Sequence, residues 1–334
     1  LPTPCQNFGV FIFILKMYDK RPLVSVIAIC YNHEKYINEC LQSVVNQTYS
    51  NVELIIIDDL SQDDSREKIL EFHHNNPSCQ YIFNEKNMGN CVSFNQALKL
   101  SKGKYIIDLS TDDVLLPNRI AEQVKIFEEY EQIGVVCSDA DFIDENSNYL
   151  GNIKSKLKLP IGNVYADILA AKSFIMPVSV MMKRSIIEKL NGYDEMLTYE
   201  DFDFWVRSSR ICEYGYVPKV LSYQRILKGS HSTKFLIKNS PLVQSSVKVC
   251  QKAFLLNETE SENKALAIRL RFQLFRCVFT ENFEAGKDIL LLLDKTKGHN
   301  WKTFIGKILI YLKLPLNPLF INVMNLRSYL RFKI

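Results

Sequence analysis

PLVSVIAICYNHEKYINECLQSVVNQTYSNVELIIIDD, residues 22–59, holds two apolar, β-branched runs with a segment of different period between them. The first run, PLVSVIAICYN (22–32), is introduced by Pro22 and is uninterrupted, as a strand buried on both faces would be. Ile37, Leu41, Val44 and Val45 then recur at helical spacing. The second run, VELIIIDD (52–59), is again a buried strand, and it ends in two acids, Asp58 and Asp59.

The alternation continues beyond this stretch. SQDDSREKILEF opens a helix with Ser61 or Asp63 as its cap, CQYIF is a short strand, and NEKNMGN turns at Asn87 and Gly89. A helix follows from Val92 to Leu100, and GKYIIDLS returns to strand, with Pro117 as the expected first residue of the next helix. Strands alternating with helices, and apolar throughout, predict an α/β fold with a mostly parallel sheet covered on both faces. Ligands of such sheets bind beyond the carboxyl ends of the strands. Asp58–Asp59 and the acids of IIDLSTDDVLLP (106–117), namely Asp108, Asp112 and Asp113, lie at two of these ends. After about residue 140 the alternation weakens, and beyond about residue 235 the chain reads as helical.

The chain has 334 residues, 47% of them apolar, enough for one large domain or two ordinary ones. Its net charge of +4 is unevenly spread. Asp294 is the last acid; Lys295, Lys297, Lys302, Lys307, Lys313, Arg327, Arg331 and Lys333 follow, so residues 1–294 are net negative. The acidic candidates lie in that part, which argues against nucleic acid as a partner. Nine cysteines without a C-x-x-C pair suggest neither a zinc framework nor a disulfide scaffold, and favour a reducing, cytoplasmic compartment. GVFIFIL (9–15) is too short to span a bilayer and lacks the marks of a signal peptide.

Each acidic cluster has two readings. Asp58 and Asp59 are hydrogen-bond acceptors for a nucleotide base or ribose, or a helix cap with a solvated neighbour. Asp112 and Asp113 are ligands for Mn²⁺ or Mg²⁺ bridging to substrate phosphates, or an Asp-rich helix start. Glu200 and Asp201, in LTYEDFDFWVR, are a general base of raised pKa, or acids suited to a helix N-terminus. His231, in LKGSHST, and Arg225 before it are metal or phosphate ligands, or a solvated loop residue and its neighbour.

Taken together these residues resemble the family 2 glycosyltransferases, which have the GT-A fold. The resemblance covers roughly residues 22–232. PLVSVIAICYN through IIIDDLSQDDS is similar to the family's opening, NEKNMGN to its N-x-G turn, and GKYIIDLSTDDVLLPNRI to the segment bearing its metal-binding D-x-D motif. LNGYDEMLTYEDFDFWVR resembles its Gly-Phe-Asp-Glu and Glu-Asp segment, and YQRILKGSHS its closing loop. The resemblance implies an N-terminal segment (1–21), a GT-A domain (22–234) and a helical C-terminal region (235–334). It places Tyr31 and Asp59 at the nucleotide, Asp112 at the metal, Asp201 ahead of Glu200 as the base, and His231 in a loop over the diphosphate. Two positions depart from the family: Ser110 stands for the first acid of D-x-D, and Leu60 for the Gly usual after Asp-Asp.

The implied reaction is transfer of a sugar, with inversion, from a nucleotide-diphosphate donor to a hydroxyl acceptor. A UDP-sugar is the commonest donor and a surface polysaccharide the usual product. A helical wheel over 301–313 puts Trp301, Phe304, Ile305, Ile308, Leu309 and Leu312 on one side, with Lys302 and Lys313 opposite and Ile310 out of pattern. That helix either lies in an anionic membrane interface, where a lipid-linked glycan acceptor would be met, or packs on the domain with its lysines in water. Rival classes fit less of the chain. IIDLST resembles a haloacid dehalogenase phosphatase motif but has Ser110 at its second acid. A receiver-like module leaves Glu200–Asp201 unexplained, and a dinucleotide dehydrogenase would need G-x-G-x-x-G where ICYNHE stands. A relative that binds nucleotide sugar with little catalysis stays open because of Ser110.

Overall fold

A computed structural model describes residues 21–152, 158–227 and 234–323. His231, the N-terminal segment through residue 20 and the basic residues beyond 323 lie outside the described residues. The opening alternation folds as read: β1 (Val24–Cys30), α1 (Ile37–Val45), β2 (Val52–Asp58), α2 (Ser65–Asn75), β3 (Gln80–Phe83), α3 (Asn90–Leu100) and β4 (Tyr105–Ser110). β1 pairs in parallel with β2 on one side and β4 on the other, and β3 extends the parallel set. All seven residues of β1 are buried, which is why its sequence carries no polar alternation.

Two details of the opening half differ from expectation. Asp64, not Ser61 or Asp63, is the residue before α2, and it makes no side-chain cap. Asp63 still takes the Ser65 N–H at 3.1 Å, while Ser61 turns back to accept from Asn32 N at 2.9 Å. Pro117 is not the first helical residue. The two-residue β5 (Val114–Leu115) intervenes, and α4 runs Arg119–Glu129.

The second half is richer in strand than its sequence suggests. It comprises β6 (Ile133–Ile143), β7 (Tyr149–Asn152), α5 (Tyr165–Leu169), β8 (Met181–Lys183), α6 (Arg184–Lys189), α7 (Glu200–Ser208) and β9 (Glu213–Arg225). The sheet order is β3-β2-β1-β4-β8-β6-β9-β5, with β7 on β6. β8 is antiparallel to both β4 and β6, so β6 runs in the direction of β4, and β9 is parallel to β6. Between Ser138↔Val217 and Asp139↔Val220 the register slips, leaving Pro218 and Lys219 unpaired in a bulge where a missing N–H costs nothing.

Side chains alternate across the sheet into two large cores, beside a small third cluster of Ala140, Phe142, Met176 and Val178. One joins Val26, Ala28, Ile56 and Ile107 to α1, α2 and α4. The other joins Ile27, Ile55 and Ile106 to α3 and α7. That second core continues without a break into α8 (Pro241–Leu256), α9 (Glu260–Phe279), α10 (Phe283–Lys295) and α11 (Trp301–Leu312), through residues such as Val247, Leu270, Ile289 and Ile310. Capping boxes start α9 (Thr259 with Glu262) and α11 (Asn300 with Thr303).

Candidate active site

Strands β1, β2 and β4 end at one level: Cys30 is opposite Asp58, and Ile29 opposite Ser110. The ladder runs one bond further on each side, from Asp59 N to Cys30 O (2.9 Å) and from Thr111 N to Ile29 O (3.0 Å). Tyr31, Asp59 and the Ser110–Asp112 turn therefore leave the sheet along one rim. The connection from β1 goes to β2 on one side, while β4 returns on the other, so a crevice opens between them.

At the β2 end both acids are engaged. Asp58 is fully buried; its Oδ1 accepts from Arg66 Nε at 2.6 Å and Ser61 N at 3.1 Å. Its Oδ2 is buried without a hydrogen-bond partner among the described residues. Asp59 accepts from Met88 N (2.7 Å), Gly89 N (2.8 Å) and Asn84 Nδ2 (2.9 Å), and so shapes the N-x-G turn. Gly89 has φ +82°, which is natural for glycine. Leu60 keeps a left-handed φ of 66°, the conformation a glycine there would favour, so the substitution leaves the backbone path in place at the cost of local strain. The Tyr31 ring is exposed beside these acids.

Past that turn, Asn90 opens α3 and its Nδ2 donates to Glu200 Oε1 at 2.5 Å. Cys91 Sγ donates to Leu197 O at 3.2 Å. The N-termini of α3 and α7 thus meet at the rim, carrying Glu200 and Asp201 with them.

On β4, Asp108 and Ser110 share the face of Ile106, because side chains alternate along a strand. Asp108 accepts from the Tyr193 hydroxyl at 3.0 Å. Tyr193 is held rigidly: Asn95 Oδ1 accepts its N–H at 2.8 Å, Asn95 Nδ2 donates to its carbonyl at 2.9 Å, and its ring lies 4.3 Å from Phe94. Gly192 is required for that clamp, since a Cβ there would stand 2.3 Å from Asn95 Oδ1. Burial, then the charge of Glu200, push the Asp108 carboxyl up to about 7, against the opposing hydrogen bond from Tyr193. Burial pushes Asp201 well above the carboxylate range too, with Glu200 and Asp108 adding to it. Asp108, Glu200 and Asp201 therefore form one mutually repelling group.

Asp112 and Asp113 part ways. Asp112 is half-buried at the rim and accepts from Ser110 Oγ at 2.5 Å. Asp113 is buried, and its Oδ1 accepts from Arg225 N at 2.9 Å. Burial and the charge of Asp112 push its carboxyl up, while Arg225 and Arg119 oppose the shift. Arg225 is itself consumed by the fold. It donates to Asp112 O (2.8 Å), Asp144 O (2.8 Å) and Glu39 Oε2 (2.6 Å), and lies over the Tyr36 ring. Among the described residues, no three His, Cys, Asp or Glu side chains form a cage for a metal ion by themselves.

No motif in the sequence gives Asp108 a part in catalysis or points to Tyr193 and Asn90. An acid at an inward-facing position of an otherwise apolar strand was the available signal for Asp108. Nothing short of the fold brings Asn90 to Glu200, 110 residues apart.

Residues 25–190 match the model of glycosyl transferase family 2. An uncharacterized glycosyltransferase of Methanocaldococcus jannaschii is 34% identical over 189 residues, 56% of this chain; the chain covers 64% of that relative, less than two thirds of its length. Among solved structures, S. aureus TarS (residues 1–349) in complex with UDP-GlcNAc superposes with a TM-score of 0.65 at 18% identity, over 82% of this chain and 80% of that one. The mannosyltransferase PcManGT from Pyrobaculum calidifontis, in complex with GDP-Man and Mn²⁺, superposes with a TM-score of 0.57 at 17% identity, over 98% and 90%. At these identities the structural matches speak to the fold: a mixed, mostly parallel sheet flanked by helices.

Proposed function

Because the chain belongs to glycosyl transferase family 2, we propose that it transfers a sugar, with inversion, from a nucleotide-diphosphate donor to a hydroxyl acceptor. The observation that carries this reading is the meeting of Asp108, Glu200 and Asp201 on the face and at the rim where Ser110 and Asp112 emerge. Tyr31 and Asp59 border the donor's nucleoside, with Asp58 buried beneath them and paired with Arg66. A UDP-sugar is the proposed donor, in keeping with the UDP-GlcNAc complex of TarS.

Asp201, of raised proton affinity, takes the acceptor's proton as the hydroxyl attacks. Glu200, fixed by Asn90, keeps that affinity high and is the alternative base. The cavity of about 290 Å³ beside β6, with Asp139, Asp141, Phe174 and Tyr216 in its wall, suits a sugar acceptor: carboxylates for hydroxyls, rings for a pyranose face. β6 and β4 are level through β8, where Met182 pairs with both Ile106 and Val135.

The fit for Mn²⁺ or Mg²⁺ is through Asp112, which stands half-exposed at the rim with one oxygen on Ser110. Such ions commonly take one or two carboxylates and complete their shell with substrate phosphates and water. Bound there, the ion would neutralise charge on the departing diphosphate. Asp113, tied to Arg225, is the less available partner, and His231 is the proposed residue of the covering loop. The product is proposed to be a bacterial surface polysaccharide, made in the cytoplasm at the inner face of the membrane. Among the described residues no helix is long and apolar enough to cross a membrane.

The test is a thermal-shift panel of UDP-, GDP- and dTDP-sugars with and without Mn²⁺, since a bound donor stabilises the fold by mass action. A shift with one nucleotide class, enlarged by Mn²⁺ and reduced in Asp112→Asn, is expected. Turnover of Asp112→Asn should fall by about 100-fold or more. No shift with any nucleotide sugar contradicts the reading. Ser110 supports a second reading, a nucleotide-sugar-binding relative with little catalysis; calorimetric donor binding without turnover would identify it.

A further inference from the structure

Helix α11 meets the rest of the molecule through a narrow seam. Thr303, Gly306 and Ile310 are its buried residues. The approach is close: a Cβ on Gly306 would stand 2.6 Å from Leu274 Cδ2, and one on Gly286 would stand 2.2 Å from Ile310 Cδ1. Those two glycines fix which side of the helix faces inward. Ile310, out of pattern on the helical wheel, is the residue that anchors it.

The outward side is apolar. Trp301, Phe304, Ile305, Ile308, Tyr311 and Leu312 are all exposed, from 42% for Ile305 and Ile308 to 69% for Trp301. At about 100° per residue they form one stripe opposite the seam. Lys302 and Lys313, which the wheel sets opposite the apolar side, instead run along one border of the stripe and Lys307 along the other, because the seam of Thr303, Gly306 and Ile310 takes the opposite side. Cationic side chains thus separate the stripe from the body on both sides. Lys302 lies over the Trp301 ring, and Lys313 is 3.8 Å from Glu284. Exposed Leu314 and Leu319 continue the apolar surface beyond the helix.

We infer that this stripe is a docking surface for an anionic lipid bilayer. Contiguous apolar exposure of this kind marks an interaction site, and the charge around it selects the partner. An interfacial helix buries its apolar face among the acyl chains while flanking lysines extend to the headgroup phosphates. A second copy of the chain would bring like-charged borders together. Residues 1–20 hold Lys16 and Lys20 against Asp19, and residues 324–334 hold Arg327, Arg331 and Lys333 with no acid, so neither segment offers a complementary charge. The inference deepens the proposed function, since it rests on an acceptor met at a membrane, but it makes a separate claim about separate residues.

The experiment is flotation of the full chain with vesicles of phosphatidylglycerol and phosphatidylcholine, and with pure phosphatidylcholine. The wild type should partition at least about tenfold better to the anionic vesicles, less so in high salt. Phe304→Glu with Ile308→Glu, both on the exposed stripe, should abolish that partition and leave nucleotide-sugar thermal shifts unchanged. Equal flotation of wild type and variant, or no flotation of the wild type, overturns the inference. So does a lipid-free dimer that the variant dissociates, which would make the stripe a self-association surface. If flotation fails while nucleotide sugars still stabilise the protein, the transferase reading survives alone; flotation without any nucleotide-sugar shift leaves the surface and removes the reading.

Discussion

Asp108 is held in a conflict that its neighbours set up. The residue is half-buried and its carboxyl largely desolvated, Glu200 adds a like charge, and one hydrogen bond from Tyr193 favours ionisation. A carboxyl whose folded pKa is raised binds its proton more tightly folded than unfolded. The stability it contributes is present below its unfolded pKa and is lost as pH rises through about 7. Asp108→Asn keeps an acceptor for Tyr193 but cannot ionise. Its melting temperature relative to wild type should be higher at pH 8 than at pH 5, by about 2 °C or more. Tyr193→Phe removes the bond that supports the ionised form and should cost about 1–3 kcal/mol, more at pH 8 than at pH 5. A pH-independent difference for both variants would place the acid in a different environment. Part of this was readable beforehand: an Asp inside IIDLS is conspicuous in an apolar strand. Its partner was not, because Tyr193 stands where the resembled family has Phe, and a ring reads as core until its hydroxyl is seen.

Elements were legible where one periodicity ruled and obscure where contacts from far along the chain decided. β1, β2 and β4 are buried on both faces, so their apolar runs announced them. β9 was missed because Pro218 interrupts its pattern, a break that the sheet accommodates as a bulge against β6. β5 has two residues and exists only by pairing with β9, at Val114↔Tyr223 and Leu115↔Ser222. The same strand delivers Arg225, which sequence alone presented as a phosphate or metal ligand and which instead ties together Asp112, Asp113, Asp144 and Glu39. Arg225→Ala leaves the carbonyls of Asp112 and Asp144 and the Glu39 carboxylate without their arginine donor. It also takes from the buried Asp113 one of the two arginines that face it, while the backbone N–H of residue 225 stays. The substitution should lower unfolding free energy by about 2–3 kcal/mol in denaturant titration, mainly the cost of stranding carbonyl acceptors, since Glu39 stays half-exposed to water. Arg225→Lys should recover only part, since an ammonium cannot span the same fork. A loss under 1 kcal/mol for Arg225→Ala would show that the Asp112 turn is held by other means.

For the whole molecule, the two large cores serve different ends. The core against α1, α2 and α4 closes one face of the sheet. The core on the other face holds α3 and α7 over the acids and runs on into α8–α11, so the helices that carry the outer apolar stripe share a packed interior with those that hold Glu200 and Asp201. That Asp58, Asp59 and Asp112 leave the sheet at one rim was readable from strand ends; for α11 the wheel gave the apolar stripe and both its readings, but not that Thr303, Gly306 and Ile310 form its buried seam. The claim on which the account turns is that Asp201 is the proton acceptor in sugar transfer. Its most direct test is a comparison of Asp201→Asn and Glu200→Gln, each measured for donor affinity and for transfer rate across pH. Asp201→Asn should bind donor like the wild type and lose transfer by about 100-fold or more. Wild-type transfer should rise with pH to above the ordinary carboxylate range, because burial and Glu200 raise the proton affinity of Asp201. Undiminished transfer by Asp201→Asn, or loss in Glu200→Gln alone, would contradict the claim.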